Sequence, residues 1–134
     1  MGLAPTVDAV RLSLHVFGAA VWVGGQVTIG GLVPTARRLG PEVPGAIARA
    51  FARFMWPAYV LLLATGIWNV TAASAGQPHS WKVVLGVKIA VVLFAGLAVW
   101  LHTRSTTPRS LAVWGAIGAV ASIAALVMGV FLAG

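Results

Sequence analysis

The 134-residue sequence contains no cysteine and only two acidic residues, Asp8 and Glu42. Without cysteine there are no disulfides, no thiolate metal sites and no cysteine-ligated iron–sulfur clusters. Neither acid lies within a long apolar run, so paired carboxylates for acid–base chemistry are missing from those runs. Any proton transfer there would have to use His15, Lys88 or a cofactor.

Hydrophobic residues, by contrast, make up 60% of the chain, and the mean hydropathy is +0.97. These values are typical of a polytopic membrane protein. The formal net charge of +7 would suggest nucleic acid as the partner of a soluble chain. Here the basic residues lie mostly between apolar runs, where they set topology instead. We therefore expect a lipid bilayer as the surroundings and no nucleic-acid binding.

The apolar runs predict an all-α membrane protein, an antiparallel four-helix transmembrane bundle forming a single domain over residues 1–134. Each run is long enough to cross the ~30 Å hydrocarbon core at ~1.5 Å per residue. Thr6 and Ser80 are expected to cap the first and third helices, and Thr107 to cap the fourth with Pro108 in its first turn. The four spans are expected at about 8–36, 46–73, 81–102 and 109–133.

The first apolar run carries polar residues on one face. Arg11, His15, Trp22 and Gln26 recur at steps of four, seven and four, with Gly18 and Gly25 on the same stripe,. This stripe predicts a face that meets protein or a ligand in place of lipid. Ionisable groups at membrane depth are costly and usually face the interior, which makes His15 a candidate site residue.

The distribution of arginine predicts the orientation. Six of the nine basic residues flank the first and third connections (Arg37, Arg38, Arg49, Arg53, Arg104 and Arg109). By the positive-inside rule this side is cytoplasmic, so both termini lie outside. Counting residues then places a group of polar side chains in the same outer layer, with His15 and Lys88 roughly 10 Å deep. The group comprises His15, Lys88, Asn69 and Met128, whereas His102 lies near the inner boundary.

Three segments resemble a known family: LHVFGAAVWVGG, RFMWPAYVLLLATGIWNV and WKVVLGVKIAVVLFAGLAVWLHTR. They are similar to the membrane domain of the copper-resistance D (CopD) family and, more remotely, of HemJ-type protoporphyrinogen oxidases. The shared features are a histidine before W-x-G-G, an M-W-P opening of the second span, a later T-G, and a tryptophan seven residues before a lysine. The resemblance covers about the first three spans. It implies haem b or copper as the cofactor, and functional roles for the span-one histidine and the span-three lysine, here His15 and Lys88.

The candidate cofactor site therefore comprises His15 as axial ligand, Lys88 and Arg11 near porphyrin propionates, and Asn69 and Met128 nearby. Each residue also has a purely structural interpretation. In that interpretation His15 forms a hydrogen bond with a carbonyl or with Asn69, and Lys88 extends to the membrane interface. Arg11 anchors the helix at the interface, and Met128 contributes packing alone. His79 is expected in a loop.

Three functions are compatible with this pattern. The first is a CopD/HemJ-like protein that binds haem b or a porphyrin in the outer half of the bundle, with an electron-transfer or porphyrin redox role, in the bacterial inner membrane. The second is a copper uptake or resistance component, although Cu(I) favours thiolates and thioethers, and only Met55 and Met128 follow the first methionine,. The third is an accessory subunit of a larger membrane complex or a homo-oligomer, without catalysis of its own.

Overall fold

The structure, a computed structural model, describes residues 2–134. These residues form four helices long and apolar enough to cross a membrane, and no strand. The predicted all-α fold is confirmed, and each helix extends up to three residues beyond the span expected from hydropathy. The helices are α1 (Thr6–Leu39), α2 (Val43–Ala73), α3 (His79–Arg104) and α4 (Pro108–Ala133).

Two of the three predicted N-caps are wrong. The N-cap residues of α1 and α3 are Pro5 and Pro78, and no side chain caps either helix. Each proline is extended, and its carbonyl accepts the first helical bond, from the N–H of Ala9 at 2.9 Å in α1. Thr6 is therefore already the first residue of α1, and Ser80 the second residue of α3, so neither hydroxyl occupies the cap position. In α4 the prediction is confirmed, since Thr107 Oγ1 accepts from the Ser110 N–H at 3.1 Å.

The chain forms two compact units, one ending at Ala75 and one running from Gly76 to Gly134. The first contains α1 and α2, and the second contains α3 and α4. Gly76 adopts a positive φ of 75° in the connecting turn, a conformation that glycine reaches without strain,.

In the first unit, α1 and α2 form an antiparallel pair whose contact is closest at Gly18. A Cβ there would lie 3.2 Å from the carbonyl oxygen of Ala58 and 3.1 Å from Leu62 Cγ. At Gly25, a Cβ would overlap the ring of Phe51. The glycine stripe predicted on the first span thus faces α2, because only a residue without a side chain lets the two backbones approach so closely.

α1 contains a π-helical turn over Ala20–Gly24, between the α-helical segments Thr6–Ala19 and Gly25–Leu39. α2 runs without interruption through Pro57. At ~1.5 Å per residue, both helices of this unit are longer than the ~30 Å hydrocarbon core. Apart from Arg11, the arginines of this unit lie toward the ends of α1 and α2 that are joined by their connection.

In the second unit, α3 and α4 pack through small side chains. Ala95, Ala98 and Val99 of α3 are buried, as are Gly118, Ala121, Ser122 and Ala125 of α4. Residues seven apart in the sequence form one stripe on each helix, Lys88, Ala95 and His102 on α3 and Gly115, Ser122 and Gly129 on α4. These stripes meet here, where His102 lies over Gly115 and Lys88 lies over Gly129. The small residues of the α4 stripe are therefore part of the surface that packs against α3.

Candidate functional site

Arg11 is the most deeply buried charged side chain described. Its side chain is 9% exposed, whereas charged residues at membrane depth are normally paired or face a cavity. Nη2 donates to Asp8 Oδ1 at 2.9 Å, and Nη1 donates to Asn69 Oδ1 on α2. Asp8, 42% exposed, belongs to the first turn of α1. Arg11 thus links the start of α1 to the end of α2 through Asn69, and Asp8 on its own helix is its counter-ion.

One buried nitrogen of this guanidinium makes no hydrogen bond with the described residues. Arg11 Nε is buried and has no hydrogen-bond partner within residues 2–134. Buried donors are nearly always satisfied, and each exception calls for a physical reason. A buried N–H without an acceptor, on a residue that already carries a positive charge, favours an additional anionic or carbonyl acceptor at this point.

His15 lies one turn further along α1, on the same face. Its Nδ1 is 2.8 Å from Thr65 Oγ1 on α2. Thr65 is 3% exposed, and its hydroxyl donates to the Leu61 carbonyl at 2.7 Å. Because a threonine hydroxyl has only one proton, the bond to Leu61 leaves Oγ1 as an acceptor for the imidazole. This hydrogen-bond network assigns the His15 proton to Nδ1,.

This tautomer decides which nitrogen can act as a ligand. A neutral imidazole protonated on Nδ1 carries its lone pair on Nε2. Metal-ligating histidines are commonly oriented in this way, with the other ring N–H held by a protein acceptor. The ring also packs over Gly66, whose Cβ, if present, would lie 3.8 Å from His15 Cε1. Thr65 and Gly66 form the T-G pair noted in the sequence, although the pattern did not identify them as the surroundings of His15.

An aromatic cluster fills the same interface on the far side of Gly18. Trp22, in the π-helical turn, is buried, with ring centroids 4.5 Å from Tyr59 and 5.6 Å from Trp56. Gln26 Nε2 donates to the Trp22 carbonyl at 3.0 Å. The polar stripe predicted on α1 therefore faces α2 from Arg11 to Trp22. Trp22 belongs to this core, as expected for a member of the stripe that meets protein.

Lys88 and Met128 lie in the second unit. The Lys88 ammonium packs on α4 at Gly129, where an added Cβ would lie 2.8 Å from Nζ. Lys88 and Met128 are both half-buried. Near them, Trp81 Nε1 donates to the Leu132 carbonyl at 3.1 Å. Of the five predicted cofactor-binding residues, the structure brings Arg11, His15 and Asn69 together in the first unit, and Asn69 bonds to Arg11 and not to His15.

The other two histidines have different surroundings. His102 Nδ1 is 2.8 Å from the Leu111 carbonyl, and because that oxygen can only accept, the ring nitrogen donates,. His79 is exposed at the first residue of α3, not in the preceding loop where it was expected. Within residues 2–134, no group of three or more His, Cys, Asp and Glu side chains could hold a metal ion.

Comparisons with protein-family models, with curated proteins and with solved structures give no match for this chain. The geometry itself supports a site of one class. It is an intramembrane polar site between two helices, with one oriented imidazole, one buried guanidinium and neutral amide and hydroxyl groups that hold them in place.

Proposed function

We propose that this chain is a CopD/HemJ-like integral membrane protein that binds haem b, or a related porphyrin, through His15. The observation that carries the proposal is the 2.8 Å contact between His15 Nδ1 and Thr65, whose hydroxyl proton is already donated to Leu61. It supports an imidazole fixed in the tautomer and orientation that an axial ligand requires. One protein ligand is sufficient for haem, because the porphyrin supplies the other four nitrogens.

The donor set also fits the acidic edge of a porphyrin. Arg11 lies one helical turn from His15, and its buried Nε has no acceptor within the described residues. A propionate would provide that acceptor and a second negative charge beside Asp8. Asn69 holds the guanidinium from α2, so its role in this proposal is to position Arg11. Bound haem would supply one-electron chemistry, and the protein would fix its orientation and exclude water.

Lys88 and Met128 lie in the second unit, and the roles expected for them, a propionate partner and a second axial ligand, stay predictions from the sequence. Lys88 is half-buried against α4. A thioether can serve as an axial ligand to haem iron.

A resident copper site is less well supported. Copper sites usually combine several histidine, cysteine or methionine ligands, and the described residues contain no group of three or more His, Cys, Asp and Glu. An accessory role in a larger complex or a homo-oligomer requires no site at all, and it predicts that the chain binds no porphyrin.

The proposed surroundings are the bacterial cytoplasmic membrane, with the arginine-rich ends of the helices inside. This orientation places Arg11, His15 and Asn69 in the outer half of the bilayer. Reporter fusions at Gly40 and Thr106 should then report the cytoplasm, and fusions at Gln77 and Gly134 the outside.

Titration of the purified protein with haem b tests the proposal. We expect a saturable Soret shift in the wild type, its loss in His15→Ala, and its retention in the control variants His79→Ala and His102→Ala. Equal binding by all three variants would show adventitious association and contradict the proposal. Absence of binding by a folded wild-type protein would favour the accessory role.

A further inference from the structure

An apolar groove runs along the first unit on the arginine-rich side of His15. Its volume is about 260 Å³, and it lies between the middle of α1 and the middle of α2. α1 contributes Phe17 and Val21, and α2 contributes Phe54, Pro57 and Leu61 along the walls and Ala58 at the base. Phe17 and Phe54 are both more than 60% exposed, so the groove is open along its side.

The only charged residue that lines the groove is Arg53. Arg53 is exposed, and it follows Arg49 by one helical turn. From Arg53 to Leu61 the groove extends eight residues, or ~12 Å, along α2. Asn69, beside Arg11, lies another ~12 Å beyond Leu61. Since the hydrocarbon layer is ~30 Å thick, Arg53 lies near one boundary and the groove leads from it toward the middle of the membrane.

Arg53 forms no ion pair within residues 2–134. The ion pair found among these residues joins Arg11 to Asp8. The chain has only one other acid, Glu42. It lies eleven residues before Arg53, at the start of the same helix, which is a separation of ~16 Å along the helix axis. Arg53 is therefore a cation at the level of the headgroups, beside an apolar groove and without an acidic partner from the described residues.

We propose that this groove binds an anionic phospholipid, with the phosphate at Arg53 and one acyl chain along the groove. Charge complementarity selects this occupant. A basic residue at the surface of a bilayer attracts anionic lipid, and an acyl chain continues from that headgroup into the hydrocarbon layer. A second copy of this chain would be a poorer occupant, because Asp8 is already bonded to Arg11 and Glu42 is the only other acid it could offer. The proposal is independent of haem binding.

The test measures which lipids stay bound to the full chain. The protein is equilibrated with vesicles of equal parts phosphatidylglycerol and phosphatidylcholine, extracted in a neutral detergent, and analysed by native mass spectrometry. We expect the wild type to retain phosphatidylglycerol preferentially. Arg53→Gln should lower that retention by roughly fivefold, the factor for one basic residue at a membrane surface. Arg37→Gln removes the same charge from the exposed end of α1, away from the groove, and should change it little.

Two further variants test the contribution of the groove while the charge of Arg53 is kept. Val21→Phe keeps Arg53 and fills the groove, so it should also release the lipid, and Leu61→Phe does the same from the opposite wall. Circular dichroism establishes that each variant is folded. Equal losses in Arg53→Gln and Arg37→Gln would show non-specific attraction and overturn the proposal. Retention of lipid by both groove-filling variants would also overturn it, as would conversion of a dimer to a monomer by these variants, because that result assigns the groove to a second copy.

Discussion

The two units of this protein each contain an antiparallel helix pair, but the two interfaces are built from different residues. Between α1 and α2 lie a buried arginine, a histidine held by a buried threonine, and three aromatic rings in tilted and edge-to-face contact. Between α3 and α4 the middle of the interface contains alanine, glycine, valine and one serine. The hydrogen-bonded side chains of the second interface outside this middle part, Trp81, His102 and the Ser105–Ser110 pair, lie near its ends. The Lys88 ammonium also packs on α4, at Gly129.

This difference indicates where function is located. Small residues are sufficient to hold membrane helices together, because they permit close backbone contact and extensive dispersion attraction. The helices of the second unit pack through small residues in this way. The first unit buries Arg11 and Thr65 although polar groups in the membrane are costly,. Packing alone does not require these residues, and the polar interface is therefore where we propose that a ligand binds.

The largest expected effect concerns the small-residue interface. A Cβ at Gly118 would lie 3.0 Å from Val99 Cγ2 and 3.5 Å from the Val99 nitrogen. Gly118→Leu should therefore separate α3 from α4 and cost about 3 kcal/mol, the upper part of the range for overpacking. Gly86→Leu is the matched control, because a Cβ at Gly86 meets nothing within 4 Å. Unfolding in mixed detergent micelles measures both, and equal stability of the two variants would contradict this packing.

A smaller effect is expected at the polar interface. Asn69→Leu removes the acceptor that α2 offers to Arg11, and it should cost about 1–2 kcal/mol, the range for hydrogen bonds between membrane helices. The double variant Arg11→Leu/Asn69→Leu should recover most of this loss, because no buried charge is then left without its partner. Thr71→Val is the control, since that hydroxyl bonds only within its own helix. If the double variant is no more stable than Asn69→Leu, the two residues are not coupled.

The smallest effect is expected at Gly129. An added Cβ would lie 2.8 Å from Lys88 Nζ, the flexible end of a long side chain, and 3.7 Å from Lys88 Cε. Gly129→Ala should therefore displace the ammonium and leave the helix pair intact, with a change in stability below about 1 kcal/mol because alanine also favours the helix. If Lys88 holds a propionate, the same variant should weaken haem binding. A large loss of stability would show instead that Lys88 is fixed in place by packing.

Much of this fold follows from the sequence. Runs of apolar residues identify all four helices, and steps of three and four identify the face of α1 that carries Arg11 and His15. The heptads of α3 and α4 were also visible. The structure adds that they face each other, so that His102 and Lys88 occupy the spaces left by Gly115 and Gly129. Glycine at these positions makes room for a side chain from the neighbouring helix as well as for its backbone.

The partners of the site residues did not follow from the sequence, because they depend on the register between α1 and α2. Residue counting placed Asn69 in the same layer as His15, but the contact of Gly18 with Ala58 sets a register that pairs Asn69 with Arg11. Thr65, which lies in an apolar run, then meets His15. The π-helical turn at Trp22 also gave no signal, because its residues are equally compatible with an ordinary α-helix.

The haem content of the protein purified from its native membranes tests the central claim most directly. The account predicts about one haem b per chain by its absorbance spectrum, with none in His15→Ala and reduced content in Thr65→Val, in which the acceptor for Nδ1–H is lost. Thr65→Ser, which restores the hydroxyl, should recover the wild-type content. A folded wild-type protein that contains no haem, or a His15→Ala variant that contains as much as the wild type, would contradict the account.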